Sequence, residues 1–183
     1  MPVELEPGDN PERESALEVY LLKPMRHTPY FIALLLAGCT SYGGMGLRAG
    51  VSSEGEVRRS MGVPALELTG TDGSRQLAYP SGPFGTQTFM VQVGRDGFLQ
   101  AIQPVLNEDH FYRINPGQTR DDVLRLIGPP GETMEFPRLQ QTAWDYRFQD
   151  TWGYTAIFSV MLDRDGVVVG KVTRRLERDR PSR

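Results

Sequence analysis

The chain is poor in the residues on which most enzymes and metal proteins depend. It has one cysteine and two histidines in 183 residues. A lone cysteine forms no intramolecular disulfide and no multi-cysteine zinc site. Two histidines leave little for an imidazole-based metal centre or a catalytic triad. A basic excess is also missing. The 20 Lys+Arg against 23 Asp+Glu give a net charge of −3, which argues against a general nucleic-acid binder. What is present suffices for a packed core. Hydrophobic residues make up 39% and charged residues 23%, a balance that excludes wholesale disorder. The length supports one or two small domains.

The most informative segment is 25–44, MRHTPYFIALLLAGCTSYGG. Arg26 and His27 precede a short apolar run from Tyr30 to Ala37, which ends in Leu36-Ala37-Gly38-Cys39. A positive region, an apolar region and a small-residue cleavage site are the parts of a secretory signal. The run is far below the ~20 residues of a membrane-spanning helix. Leu-Ala-Gly-Cys resembles the bacterial lipoprotein box. The resemblance implies a covalent lipid on the Cys39 thiol and no other cofactor. Thr40 after the cysteine implies the outer membrane, facing the periplasm, by the same likeness. Residues 1–24 carry six acids against Arg13 and Lys23, which does not suit a signal. Either translation starts at Met25 or the chain has a true N-terminal extension. Loss of residues 1–38 removes three basic and six acidic residues, so the mature chain is balanced in charge.

Two stretches run in parallel. GVSSEGEVRRSMGVP (50–64) aligns with GQTRDDVLRLIGPP (117–130), and FMVQVGRDGFL (89–99) with FSVMLDRDGVV (158–168). Each opens with a capping-box spacing, Ser53 with Glu56 and Thr119 with Asp122. Each helix pattern stops at a glycine followed by proline, Gly62 with Pro64 and Gly128 with Pro129. Period-two alternation then predicts half-buried strands over 88–93 and 155–162. Asp96-Gly97 and Asp165-Gly166 carry the hairpin signal. Further strands are expected near Arg75–Tyr79, Phe98–Ile102, Thr142–Phe148 and Val167–Thr173. The expected class is α+β: two tandem repeats, each a short helix or helix pair on a three-stranded antiparallel meander. Asn107–Ile114 supplies the extra helix of the second repeat. The expected boundaries are 1–38 for extension and signal, 39–49 for a flexible lipidated tether, 50–106 and 107–174 for the repeats, and 175–183 for a basic tail.

The string Ile114-Asn115-Pro116-Gly117-Gln118-Thr119, then Val123, Gly128-Pro129-Pro130 and Trp144-Asp145-Tyr146, resembles the SmpA/OmlA domain of the BamE-like outer-membrane lipoproteins. The first repeat matches more loosely, with Tyr79 but no Trp-Asp before it. Tandem copies also look like the β-lactamase-inhibitor-protein fold. The resemblance implies a non-enzymatic, protein-binding accessory. Its partners would be the membrane, through the lipid, and subunits of the β-barrel assembly machinery or another envelope protein. The alternative is an inhibitor-like or stress-related binding protein on a different target.

Candidate chemistry is sparse. His110 lies beside Asp109, but neighbours in sequence do not make a triad. Asp121 and Asp122 suit a helix N-terminus better than acid–base work. Trp144 and Tyr146 share one strand face, which is either core or a contact surface. With Phe136 and Arg138 in an expected loop over 132–141, and Trp152 and Tyr154 in the next loop, they are the partner-binding candidates. The C-terminal stretch from Lys171 to Arg183 is locally basic and suits anionic headgroups or an acidic partner.

Overall fold

The computed structural model describes residues 43–82 and 84–176. Cys39 and its signal-like segment lie outside the described residues, as do the basic tail residues Arg178, Arg180 and Arg183. Helix α1 (Glu54–Met61) leads into β1 (Leu66–Thr69), β2 (Arg75–Pro80), β3 (Thr88–Val93) and β4 (Leu99–Pro104). Helices α2 (Glu108–Tyr112) and α3 (Arg120–Ile127) then lead into β5 (Glu132–Phe136), β6 (Gln141–Gln149), β7 (Thr155–Asp163) and β8 (Val168–Arg175). The strands form two four-stranded antiparallel sheets, ordered β1-β2-β3-β4 and β5-β6-β7-β8.

The expected three-stranded meanders are therefore corrected to four-stranded sheets. The additional strands are β1 and β5, both at sheet edges. β1 has only four residues. β5 reads ETMEF and is exposed at four of its five positions, so it offers no apolar alternation to detect. Short, charged edge strands are how sheets avoid pairing with other chains. The segment expected as a loop over 132–141 is thus a strand and a tight turn. In that turn Gln140 takes φ +52, the one positive φ at a non-glycine among the described residues.

Both capping boxes form. Ser53 accepts from the Glu56 N–H while the Glu56 carboxylate accepts from the Ser53 N–H, and Thr119 and Asp122 do the same. The hydrogen bond from the Thr119 backbone N–H, and then that from its hydroxyl, holds the Asp122 carboxyl below its ordinary range. The cap residues also bridge to the far hairpins, Ser53 to Phe98 and Thr119 to Val167. These hairpins turn at Gly97 (φ +81) and Gly166 (φ +80), and each is followed by a register shift in its ladder.

The layers follow from which faces are buried. α1 lies on one face of the first sheet, where Val57 packs with Leu77, Tyr79, Val91, Val93 and Leu99. Glu54, buried, pairs with Arg58 at 2.8 Å and with Arg75 of β2, and Arg58 reaches Glu67 of β1 at 2.7 Å. The opposite face of that sheet is not solvated, contrary to the half-buried expectation for β3. Ala78 and Met90 join the larger cluster with Val123 and Ile127 of α3 and with Tyr146, Phe158 and Val160 of the second sheet. α3 is thus held between the two sheets. Gln76 of β2 donates to the Arg125 carbonyl at 2.7 Å, and the Tyr146 hydroxyl donates to the Gly128 carbonyl at 3.1 Å. Residues 43–50 form turns on the first sheet rather than hanging free: Gly44 is buried, Leu47 joins the smaller cluster, and the Gly50 N–H donates to Leu99.

Candidate functional site

The second sheet uses its two faces differently. Tyr146, Phe148, Phe158, Val160 and Leu162 point to α3 and the core. By strand alternation, the intervening residues occupy the other face. Cross-strand register builds that face row by row. One row runs Met134–Ala143–Met161–Gly170 and the next Glu132–Asp145–Ser159–Val172. Beyond them Arg147 pairs with Ile157 and Ile157 with Arg174.

A solvated antiparallel face ordinarily reads polar. Here Met134, Met161, Ile157 and Val172 cross it, with Met134 46% and Val172 53% exposed. Ala143 and Ser159 lie low among them, each nearly buried. At Gly170 a side chain would meet nothing within 4 Å, so the row opens outward at that point. Methionines, aliphatics and arginines in this mixture are the composition of protein-contact surfaces.

The partner-binding candidates fall into three places. Trp144 and Tyr146 lie on the core-facing side: Trp144 packs partly buried against the larger cluster and Tyr146 is 1% exposed. Burial also pushes the Tyr146 phenol far above its ordinary pKa. Phe136 ends β5, half-buried, and Arg138 is exposed in the following turn. Trp152 and Tyr154 stand in the β6–β7 turn, 78% and 47% exposed. β6 separates the last two groups along its whole length, roughly 25–30 Å at ~3.3 Å per residue. They do not form one cluster.

The Trp152–Tyr154 turn is rigidly braced. Asp150 accepts from the N–H groups of Trp152 and Tyr154 at 2.9 Å, and from Arg175 Nε at 2.6 Å. Its side chain is 6% exposed. Desolvation works to raise its pKa, but these hydrogen bonds outweigh it and hold the carboxyl below the ordinary value. Arg175 also lies over the Tyr154 ring at 5.1 Å. Lys171 donates to the carbonyls of Phe111, Tyr112 and Ile114 and lies over the Tyr112 ring. Two cations of the basic stretch, Lys171 and Arg175, are therefore occupied within the fold. His110 Nδ1 lies 2.9 Å from Asn107 Oδ1, the oxygen that also caps α2. Burial, then the Arg113 charge, lower its pKa, with Asp109 opposing.

Sequence reasoning missed the open sheet face. The signal was present in 155–163, TAIFSVMLD, where Ile157 and Met161 stand at positions expected to be polar. No family model matches the chain, and no curated protein is significantly similar to it. Among solved structures it is similar to a DUF4309 family protein (YjgB) from Bacillus subtilis, at 15% identity, over 72% of this chain and 84% of that one, with a TM-score of 0.29. It is also similar to a "putative beta-lactamase inhibitor protein" from Streptococcus mutans, at 11% identity, over 69% of this chain and 84% of that one, with a TM-score of 0.30. Likeness at this level carries no functional argument. The BamE-type identity suggested by Gly117, Gly128 and Trp144-Asp145-Tyr146 finds no support in these comparisons.

Proposed function

We propose that the chain is a non-enzymatic, inhibitor-like binding protein that presents the open face of its second sheet to a protein partner. The observation that supports this reading is the apolar row Met134–Ala143–Met161–Gly170 with Val172 and Ile157 beside it, on the face turned away from the core. The surrounding Glu132, Asp145, Arg147 and Arg174 supply the polar rim that gives orientation and rejects wrong partners.

The test compares proteins retained by the immobilised wild-type chain from an extract of the source cells with those retained by two variants. Met161→Asp and Val172→Asp should each abolish retention of a discrete partner while thermal unfolding is unchanged. Arg59→Asp, on the exposed side of α1, should keep it. Retention that survives both face variants would overturn the reading.

The same proposal places the protein at the periplasmic side of the outer membrane, tethered through Cys39. It rests on the string Leu36-Ala37-Gly38-Cys39. Several acyl chains, each worth ~0.8 kcal/mol per buried methylene, make a lasting anchor. Labelled palmitate should enter the wild type and not Cys39→Ala. An unlabelled wild type would remove the anchor and leave the binding face untouched.

A further inference from the structure

At the Glu132 end of the open face lies a cavity of about 310 Å³, lined by Phe84, Gly131, Glu132, Asp145, Arg147 and Ile157. Its walls come from both halves of the chain. Gly131, Glu132, Asp145, Arg147 and Ile157 belong to the second sheet and its approach, while Phe84 comes from the β2–β3 connection of the first. Phe84 is 83% exposed. The ring offers a flat apolar face at the edge of the cavity.

One polar atom here is not satisfied from within. Asp145 Oδ1 is buried and has no hydrogen-bond partner among the described residues. Glu132 pairs with Asp145 across the β5–β6 ladder, so the two carboxylates are direct neighbours on one face. Like charges directly opposite destabilise a sheet. No ion pair joins either carboxylate to Arg147 among the described residues. The cavity lining itself holds two acids against one guanidinium, with Arg174 beside Ile157 on the same face but outside the lining. A buried acceptor without a donor is unfavourable, and a cation in the cavity would offset the charge of the carboxylate that carries it.

We propose that this cavity is a subsite for an arginine side chain of the protein partner. A guanidinium fits on three counts. Its fork donates to two neighbouring carboxylates at once. Its flat face stacks on the Phe84 ring, and it is more weakly hydrated than an ammonium, so it enters an apolar-walled site at lower cost. Ile157 supplies the apolar floor for the methylene stem. The inference rests on the second sheet's open face being the partner surface, and it specifies what that partner must carry at the face's edge.

The probe is N-acetyl-arginine-methylamide, titrated into the full chain and followed by amide chemical shifts, with the lysine and glutamate analogues in parallel. The arginine probe should give saturable shifts centred on Gly131, Glu132, Asp145 and Ile157. It should bind more tightly than the lysine probe, and the glutamate probe should give no saturation. Asp145→Asn should weaken the arginine probe roughly tenfold or more, the loss expected for one charge-assisted bond. Glu132→Gln, on an exposed edge strand, provides the same comparison if Asp145→Asn perturbs folding. Saturation by the glutamate probe instead, absence of saturation by the arginine probe, or arginine binding indifferent to both variants would overturn the proposal. Probe binding without any face-dependent partner would sink the functional reading alone. Partner binding without probe binding would sink the subsite alone.

Discussion

Gly128 concentrates several demands at one position. It ends α3 with φ +80 and ψ −168, a region that only glycine occupies without strain. A Cβ there would stand 3.0 Å from Thr88 Cγ2 and 3.4 Å from Ala78 Cβ. Its carbonyl receives the Tyr146 hydroxyl. Gly128→Ala should therefore destabilise the fold by about 1–3 kcal/mol from backbone strain alone, read as a lower urea midpoint. An unchanged midpoint would mean that the backbone at this helix end relaxes to accept a side chain. The helix-stopping role of Gly128 was legible from the proline after it. Its place against the first sheet was not, because sequence spacing does not say which surface a helix end meets.

His110 gives a pH dependence of definite sign. Its folded pKa lies below the ordinary 6.5 because burial disfavours the imidazolium and Arg113 repels it. The unfolded chain then binds the proton more readily, so stability rises with pH across that window. The contribution is complete above about 6.5 and is lost as pH falls through the depressed value. The groups facing the ring are Asn107, Asp109 and Arg113. Urea midpoints measured from pH 7.5 downward should fall faster for the wild type than for His110→Gln. Parallel curves would remove the effect.

At the scale of elements, the helices were readable and the edges of the sheets were not. Ser53 with Glu56 and Thr119 with Asp122 announce their helices because a cap is a local hydrogen-bond pattern. Thr119→Ala should cost about 1 kcal/mol, measured by chemical denaturation, and Thr119→Ser much less. Equal losses would show that Val167, the bridge partner of Thr119, needs the branched side chain. β5 escaped because its pairing is written in β6, not in itself: Thr133 opposite Trp144 and Met134 opposite Ala143 make a ladder out of a polar string. The alternation of β3 was legible, but its meaning changed. Thr88 and Met90, expected on a wet face, are buried because α3 covers that side.

The whole molecule is a stack in which each layer is explained by its neighbour until the last. α1 covers one side of the first sheet, α3 fills the space between the sheets, and the outer side of the second sheet has no layer upon it among the described residues. Trp144 and Tyr146, prominent in the sequence, serve that stack. The residues available to a partner are quieter ones, Met134, Met161, Ile157 and Val172, which become a surface only when four strands set them side by side. That assembly is long-range and leaves little trace in any one segment, which is why the candidate site was the least legible part of the chain.

The central claim, that this face receives a protein, is tested most directly by photocrosslinking in living cells from single positions. A photoreactive residue at Met161 or Val172 should yield one adduct of the same discrete mass, and one at Arg59 on α1 should yield none. An adduct from Arg59 with none from either sheet position would contradict the account.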